Sequence, residues 1–123
     1  MATEPASPET LVCRSEEIAE GASRKFRVPD GDRTVECFVI RHDGDLHAYV
    51  NECRHVAMTL DWVENQFFTE DGAHLMCPTH GAWYVPGTGE CVAGPPCGKR
   101  LYRVPLVERE GQLFALTPDW AQR

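Results

Sequence analysis

The chain lacks any apolar run approaching the roughly 18 residues that a membrane-spanning helix needs. Its start, MATEPASPETL, has neither a basic opening nor an apolar stretch of signal-peptide length, so a cytoplasmic location is the expectation. Positive charge is scarce: twelve Lys and Arg stand against nineteen Asp and Glu, a net charge of -7. That sign opposes binding to nucleic acid or to an anionic membrane and suits a partner with a basic docking face. There is no internal repeat. At 123 residues there is room for one modest core and not for a large catalytic architecture.

What the chain does have is cysteine, six in all. In a reducing compartment these read more economically as metal ligands or buried thiols than as a disulfide framework. Residues 1–10, with Pro5, Ser7, Pro8 and two Glu, form the only low-complexity stretch and read as a disordered tail. One domain is expected over 11–117, followed by a short C-terminal tail at 118–123. A helical turn at Ser15 to Ala19 is soon interrupted by Gly21 and Ser23, and the segments beyond look extended. RTVECFVIR, Arg33 to Arg41, is rich in β-branched and aromatic residues and turns through Asp43 and Gly44 into LHAYVN, a hairpin. A second pairing is expected within NQFFTEDGAHLMC, turning at Asp71 and Gly72. A third joins RLYRVPLVER to QLFAL across Glu110 and Gly111. Short strands at this pace predict an all-β, antiparallel domain, a sandwich or small barrel.

Two mixed pairs carry the chemistry. Cys53 and His55 follow the strand HAYVN, and Cys77 and His80 follow HLM, so two strand-end loops can meet at one point. Thiolate and imidazole suit zinc, copper or iron-sulfur centres. A single tetrahedral zinc usually draws on C-x2-4-C and H-x3-5-H pairs, whereas here each loop offers one Cys and one His. A two-iron cluster relaxes that demand, because the Cys and the His of one loop can go to different irons.

C-R-H followed after 21 residues by C-P-T-H-G resembles the Rieske motif, C-x-H and C-x2-H-G. Downstream, TGECVAGPPCG is similar to the tight turn and glycine-proline loop that covers the cluster in that family, here Gly94, Pro95 and Pro96. Upstream, LVCRSEEIAEG and the hairpins are similar to the framework strands of Rieske ferredoxins, so the resemblance spans roughly Leu11 to Leu116. The gap between the ligand pairs is longer than in most members, with DWVENQFFTEDG as the insertion. The resemblance implies one 2Fe-2S cluster, with Cys53 and Cys77 on one iron and His55 and His80 on the other, held in a cluster-binding subdomain formed by the two loops. Respiratory-chain members join two further cysteines in a disulfide, where this chain has Met58 and Thr79. They also place a Ser and a Tyr as hydrogen-bond donors, where this chain has Ala82 and Tyr84. With one donor and the disulfide missing, a potential in the lower half of the family range is expected.

Plainer readings stand beside this one. A structural zinc site would use the same four residues, and a four-cysteine cluster would add Cys91 and Cys97 to Cys53 and Cys77, leaving both His unexplained. Cys91 and Cys97 are equally open to a short-range disulfide. Cys13 and Cys37 fall in strand-like runs and read as buried thiols. His42, His47 and His74 read as surface or structural. Trp62, Trp83 and Tyr84 read as core aromatics, the latter two close enough to His80 to shield a cluster.

As a member of such a family the chain would be an electron carrier and not itself an enzyme. It would take one electron from a flavin-dependent reductase and pass it to an oxygenase or similar acceptor, with the edges of His55 and His80 as the exit. The mononuclear iron domain of full Rieske oxygenases does not fit in its length. Other classes are a small redox subunit of a larger oxidoreductase, as in nitrite reductases, and a redox or iron sensor.

Overall fold

The computed structural model describes residues 9–31, 33–52, 67–69, 71–77, 82–94 and 99–118, apart from the side chains of Arg33 and Cys77. Among the described residues, nine strands form three antiparallel three-stranded sheets. The first sheet has the order β1-β9-β8, from Thr10–Arg14, Gln112–Ala115 and Leu106–Arg109. The second is β2-β3-β4, from Ser23–Asp30, Arg33–His42 and Asp45–Val50. The third is β5-β6-β7, from Leu75–Cys77, Ala82–Tyr84 and Cys91–Ala93. The all-β expectation is met. The anticipated helical turn is a 3-10 turn over Ser15–Glu17, and among the described residues no helix is long and apolar enough to cross a membrane.

The turns lie where their residues demand them. Asp43 and Gly44 have φ of 55° and 83°, and Glu110 and Gly111 have 52° and 80°. Two successive positive φ values in a two-residue loop match the right-handed twist of the strands they join. The pairs His42↔Asp45 and Arg109↔Gln112 close the two hairpins. The carboxylate of Glu20 accepts the backbone N–H of Asp43 at 2.7 Å and of Gly44 at 3.0 Å. Arg41 donates to the carbonyls of Ile18, Ser15 and Gly44, tying the 3-10 turn to this hairpin. The expected turn at Asp71 and Gly72 is also present. Thr69 donates to the His74 carbonyl at 2.7 Å and Met76 to that of Phe67 at 2.9 Å, so the chain before the turn pairs with β5.

The second sheet is the middle layer. Along β3, Val35, Cys37 and Val39 enter one core with Cys13, Ile18, Val28 and Leu113, while Phe38 and Ile40 enter another with Phe67, Leu75 and Tyr84. β4 divides likewise, Ala48 and Val50 to the first core and Tyr49 to the second. A strand buried on both faces reads as a continuous apolar run instead of an alternating one, which is what CFVI and AYV are. Cys13 and Cys37 are buried thiols as expected, and burial pushes the Cys37 pKa up to about 12.

Two features differ from expectation. RLYRVPLVER is not one strand: Pro105 precedes β8, and the residues before it act as a clamp. Val50 donates to the Tyr102 carbonyl and Val104 to that of Ala48, both at 2.9 Å, on the outer edge of β4. Leu101 donates to the Gly89 carbonyl at 2.8 Å and Cys91 to that of Lys99 at 2.9 Å, so one segment stitches the second sheet to the third. In addition, the segment read as an insertion supplies core. Phe67 is 1% exposed and stacks on Phe38 with centroids 4.1 Å apart at 11°. Phe67→Ala should therefore destabilise the holoprotein by about 3–5 kcal/mol in urea unfolding, whereas truncating the exposed Leu11 should stay within about 0.5 kcal/mol.

Candidate metal centre

The site is assembled at strand ends. β4 ends at Val50; Asn51, buried, donates its N–H to the Glu36 carbonyl at 3.0 Å, and Cys53 follows two residues later. Cys77 is the last residue of β5 and pairs with Ala82, the first of β6. In sequence, residues 78–81 connect that pair, and His80 is among them. Cys53, His55 and His80 themselves lie outside the described residues, as do Met58, Trp62, Thr79, Pro95, Pro96 and Cys97. The two strand ends from which the Cys/His pairs emerge share one core, through Tyr49 on β4 and Leu75, Ala82 and Tyr84 on β5 and β6.

That core makes an apolar floor. Phe38, Tyr49, Leu75, Ala82 and Tyr84 are all 0% exposed. Tyr49 donates its hydroxyl to the Pro86 carbonyl at 2.7 Å, holding the turn between β6 and β7 against β4, and burial pushes its pKa up to about 12. Gly89 in that turn leaves no room for a side chain, because a Cβ would stand 2.8 Å from the Tyr49 ring. The chain after β7 comes closer still. At Gly94, with φ of 96°, a Cβ would lie 2.7 Å from the Cα of Ala82 and 3.1 Å from its nitrogen. Only glycine permits this approach, and it presses the start of the Gly-Pro-Pro segment onto the residue that follows the His80 loop.

A cluster bridging two loops fits these observations. Two thiolates and two imidazoles are a complete donor set for mixed ligation of two irons. The hairpin register puts Cys77 at one end of the third sheet, and Gly94 packs against Ala82 at that same end. Among the described residues no group of three or more His, Cys, Asp or Glu is placed to hold a metal.

The remaining candidates fall into place around the site. The Sγ of Cys91 is buried, 3.1 Å from the Ala93 carbonyl oxygen. His47 is half-buried in β4, its Nδ1 without a hydrogen-bond partner; burial and the nearby Arg103 hold its pKa below the usual value. His74 precedes β5 and lies against Trp83, ring centroids 5.2 Å apart. Tyr84 is a core aromatic as expected. Trp83 is not: β6 alternates in, out, in, and Trp83 takes the outward position at 36% exposure. Gly89 and the clamp at 99–104 escape sequence reasoning, since their role depends on a distant ring and a distant strand.

Comparison with known proteins accords with this geometry. A model of the Rieske [2Fe-2S] domain matches residues 9–116. The 3-phenylpropionate/cinnamic acid dioxygenase ferredoxin subunit of Photorhabdus laumondii is 26% identical over 104 residues, 85% of this chain and 90% of that protein. Among solved structures, a chain in a complex of reduced oxygenase and oxidized ferredoxin in carbazole 1,9a-dioxygenase superposes with a TM-score of 0.67 at 24% identity, over 88% of this chain and 92% of that one. The terminal oxygenase of carbazole 1,9a-dioxygenase from Novosphingobium sp. KA1 superposes with a TM-score of 0.73 at 23% identity, over 94% of this chain but 31% of that one. This chain thus spans less than a third of the oxygenase chain.

Gly94→Ala should lower the iron content of purified protein and cost more stability than Gly21→Ala. Gly21 has a similar φ of 80° but nothing within 4 Å of its Cβ position, so its substitution should cost only backbone strain, about 1 kcal/mol. Iron assay and thermal melts of the two variants check this.

Proposed function

Because the chain belongs to the Rieske [2Fe-2S] domain family, we propose that it is a one-electron carrier working in the cytoplasm, taking its electron from a flavin-dependent reductase and delivering it to an oxygenase. The observation that supports this is that β4, which leads to Cys53, and the β5-β6 hairpin, which carries Cys77, pack on one core, with Gly94 pressed against Ala82 at the start of β6. The similarity to a dioxygenase ferredoxin subunit along nearly its whole length supports the carrier role and the oxygenase as acceptor. We place the functional domain at residues 11–117 with a C-terminal tail at 118–123; the expected N-terminal tail at 1–10 is corrected at its end, since Thr10 already belongs to β1.

Cys53 and Cys77 would hold one iron, and His55 and His80 the other. The bound cluster supplies reversible one-electron chemistry, with imidazole in place of two thiolates making electron acceptance easier than in an all-cysteine site. The chain's own residues supply the rest. The buried ring wall of Phe38, Tyr49 and Tyr84 excludes water on the inner side. As ligands, His55 and His80 would offer their outer nitrogens for proton exchange and for contact with a partner. Ala82, buried and apolar where respiratory-chain relatives place a hydroxyl, offers no side-chain donor to the site.

Two outcomes test this. His55→Ala and Cys77→Ser should each abolish the visible absorption of the cluster; an unchanged spectrum in either would refute the ligand assignment. The midpoint potential at neutral pH should fall in the lower half of the range of about -150 to +300 mV. Loss of a proton from a ligand imidazole favours the oxidised state, so the midpoint should drop as pH rises into the alkaline range. Protein-film voltammetry reads both values, and a clearly positive or pH-independent midpoint contradicts them.

A further inference from the structure

Three large hydrophobic side chains are exposed among the described residues: Leu11 at 55%, Val92 at 47% and Trp83 at 36%. Two of the three stand on the sheet that carries Cys77, and the backbone is built to put them there. Between β6 and β7 the register runs Trp83↔Ala93 and then Tyr84↔Cys91, so Val92 is the extra residue of a β-bulge. Bulges re-aim side chains and concentrate beside functional sites. With Cys91 and Tyr84 paired and buried, Trp83 and Val92 both face out, and the bulge brings Ala93 opposite Trp83 as well.

The same face continues across the sheet. Met76 and Ala93, both half-buried, are the register partners of Trp83 on either side, so the three side chains share one face. His74 lies against the Trp83 ring at its far end. Asp71 is exposed, and its hydrogen bonds from Thr69 and Ala73, with a smaller contribution from nearby His74, hold its carboxyl below the usual range. Its carboxylate is fixed by the Thr69 hydroxyl at 2.6 Å and the Ala73 N–H at 3.0 Å. The patch is therefore apolar at its centre with an ordered negative charge at its margin. It also runs into the ligand end, since Met76 immediately precedes Cys77 and Trp83 follows His80 by three residues.

We infer that the outer face of the third sheet, centred on Trp83 with Met76, Val92 and Ala93, is the docking surface for the electron-accepting protein, which meets it with an apolar spot ringed by lysine and arginine. Tryptophan is among the side chains that concentrate binding energy at interfaces, and an exposed one on the sheet that ends in Cys77 would bring the acceptor to that end of the molecule. The net charge of -7 and the placement of Asp71 select a cationic rim. The same charge opposes a second copy of this chain as the occupant, because two such surfaces repel. This inference rests on the carrier reading.

The test uses cluster-loaded full-length protein and cytochrome c, a lysine-ringed acceptor, as the probe. One electron leaves the reduced cluster and reduces the ferric haem, with no other reactant. In stopped-flow at low salt, Trp83→Thr should slow this reaction about tenfold and weaken the Kd for redox-inert zinc-substituted cytochrome c by a similar factor. Trp83→Phe should recover part of the loss, and Asp71→Asn should cause a smaller loss that vanishes at high salt. Leu11→Thr should change neither quantity. Oxidation by ferricyanide, the EPR spectrum and the midpoint potential of Trp83→Thr should match those of the wild type. Equal rates and Kd for wild type and Trp83→Thr, with the cluster intact, would overturn the docking surface and leave the carrier reading standing. A Trp83→Thr effect confined to reduction by a flavin-dependent ferredoxin reductase would overturn the acceptor as the occupant. A protein that holds no reducible cluster would overturn the carrier reading and the docking surface with it.

Discussion

Everything in this structure depends on β3 being buried on both faces. Val35, Cys37 and Val39 on one side and Phe38 and Ile40 on the other bind the first and third sheets to a single wall. At about 25 cal/mol per Å2 of apolar surface, no small set of polar contacts could replace what that wall contributes. A domain of this size buries too little surface to support two independent cores, so sharing a strand between them makes both possible. The stacking of Phe67 on Phe38 completes the arrangement. It brings the chain just before β5 onto the same wall, and β5 ends in Cys77.

From that wall the site follows by geometry. β4 runs beside β3 and releases the chain toward Cys53, while β5 and β6 are held against the opposite face and release Cys77 and the His80 loop. The clamp at 99–104 bonds to the edge of β4 and to the turn and strand around Gly89 and Cys91, so the two ligand-bearing regions share a strut. Among the described residues, Gly89 and Gly94 are where backbone and ring, or backbone and backbone, come too close for any side chain. Rigid strand ends suit an electron carrier, because a site that changes shape little between oxidation states needs little reorganisation at transfer.

Much of this is legible in the sequence, for identifiable reasons. Asp43-Gly44, Asp71-Gly72 and Glu110-Gly111 mark turns because few residues accept positive φ, and each stands between apolar runs. The Cys/His pairs are legible because thiolate and imidazole at such spacing have few structural uses. Other features are hidden. Strand β2 carries Pro29 and a mostly charged, half-buried face, so SRKFRVPD lacks the pattern of a strand although it pairs with β3 along all eight residues. The stretch 100–105 is extended and apolar in places, but whether it joins β8 or crosses to β4 depends on partners far away in sequence. Phe67 looks like part of an inserted loop because nothing local announces its stack on Phe38. Trp83 looks like core because its outward position is set by β6 pairing, which tryptophan's own preference does not reveal.

The central claim is that Cys53, His55, Cys77 and His80 hold one 2Fe-2S cluster. The most direct test is low-temperature EPR of the dithionite-reduced protein, with iron and acid-labile sulfide determined on the same sample. The account predicts two irons and two sulfides per chain and a rhombic signal with the lowered average g value of mixed Cys and His ligation. An EPR-silent protein containing zinc would contradict it, making the same four residues a structural clamp.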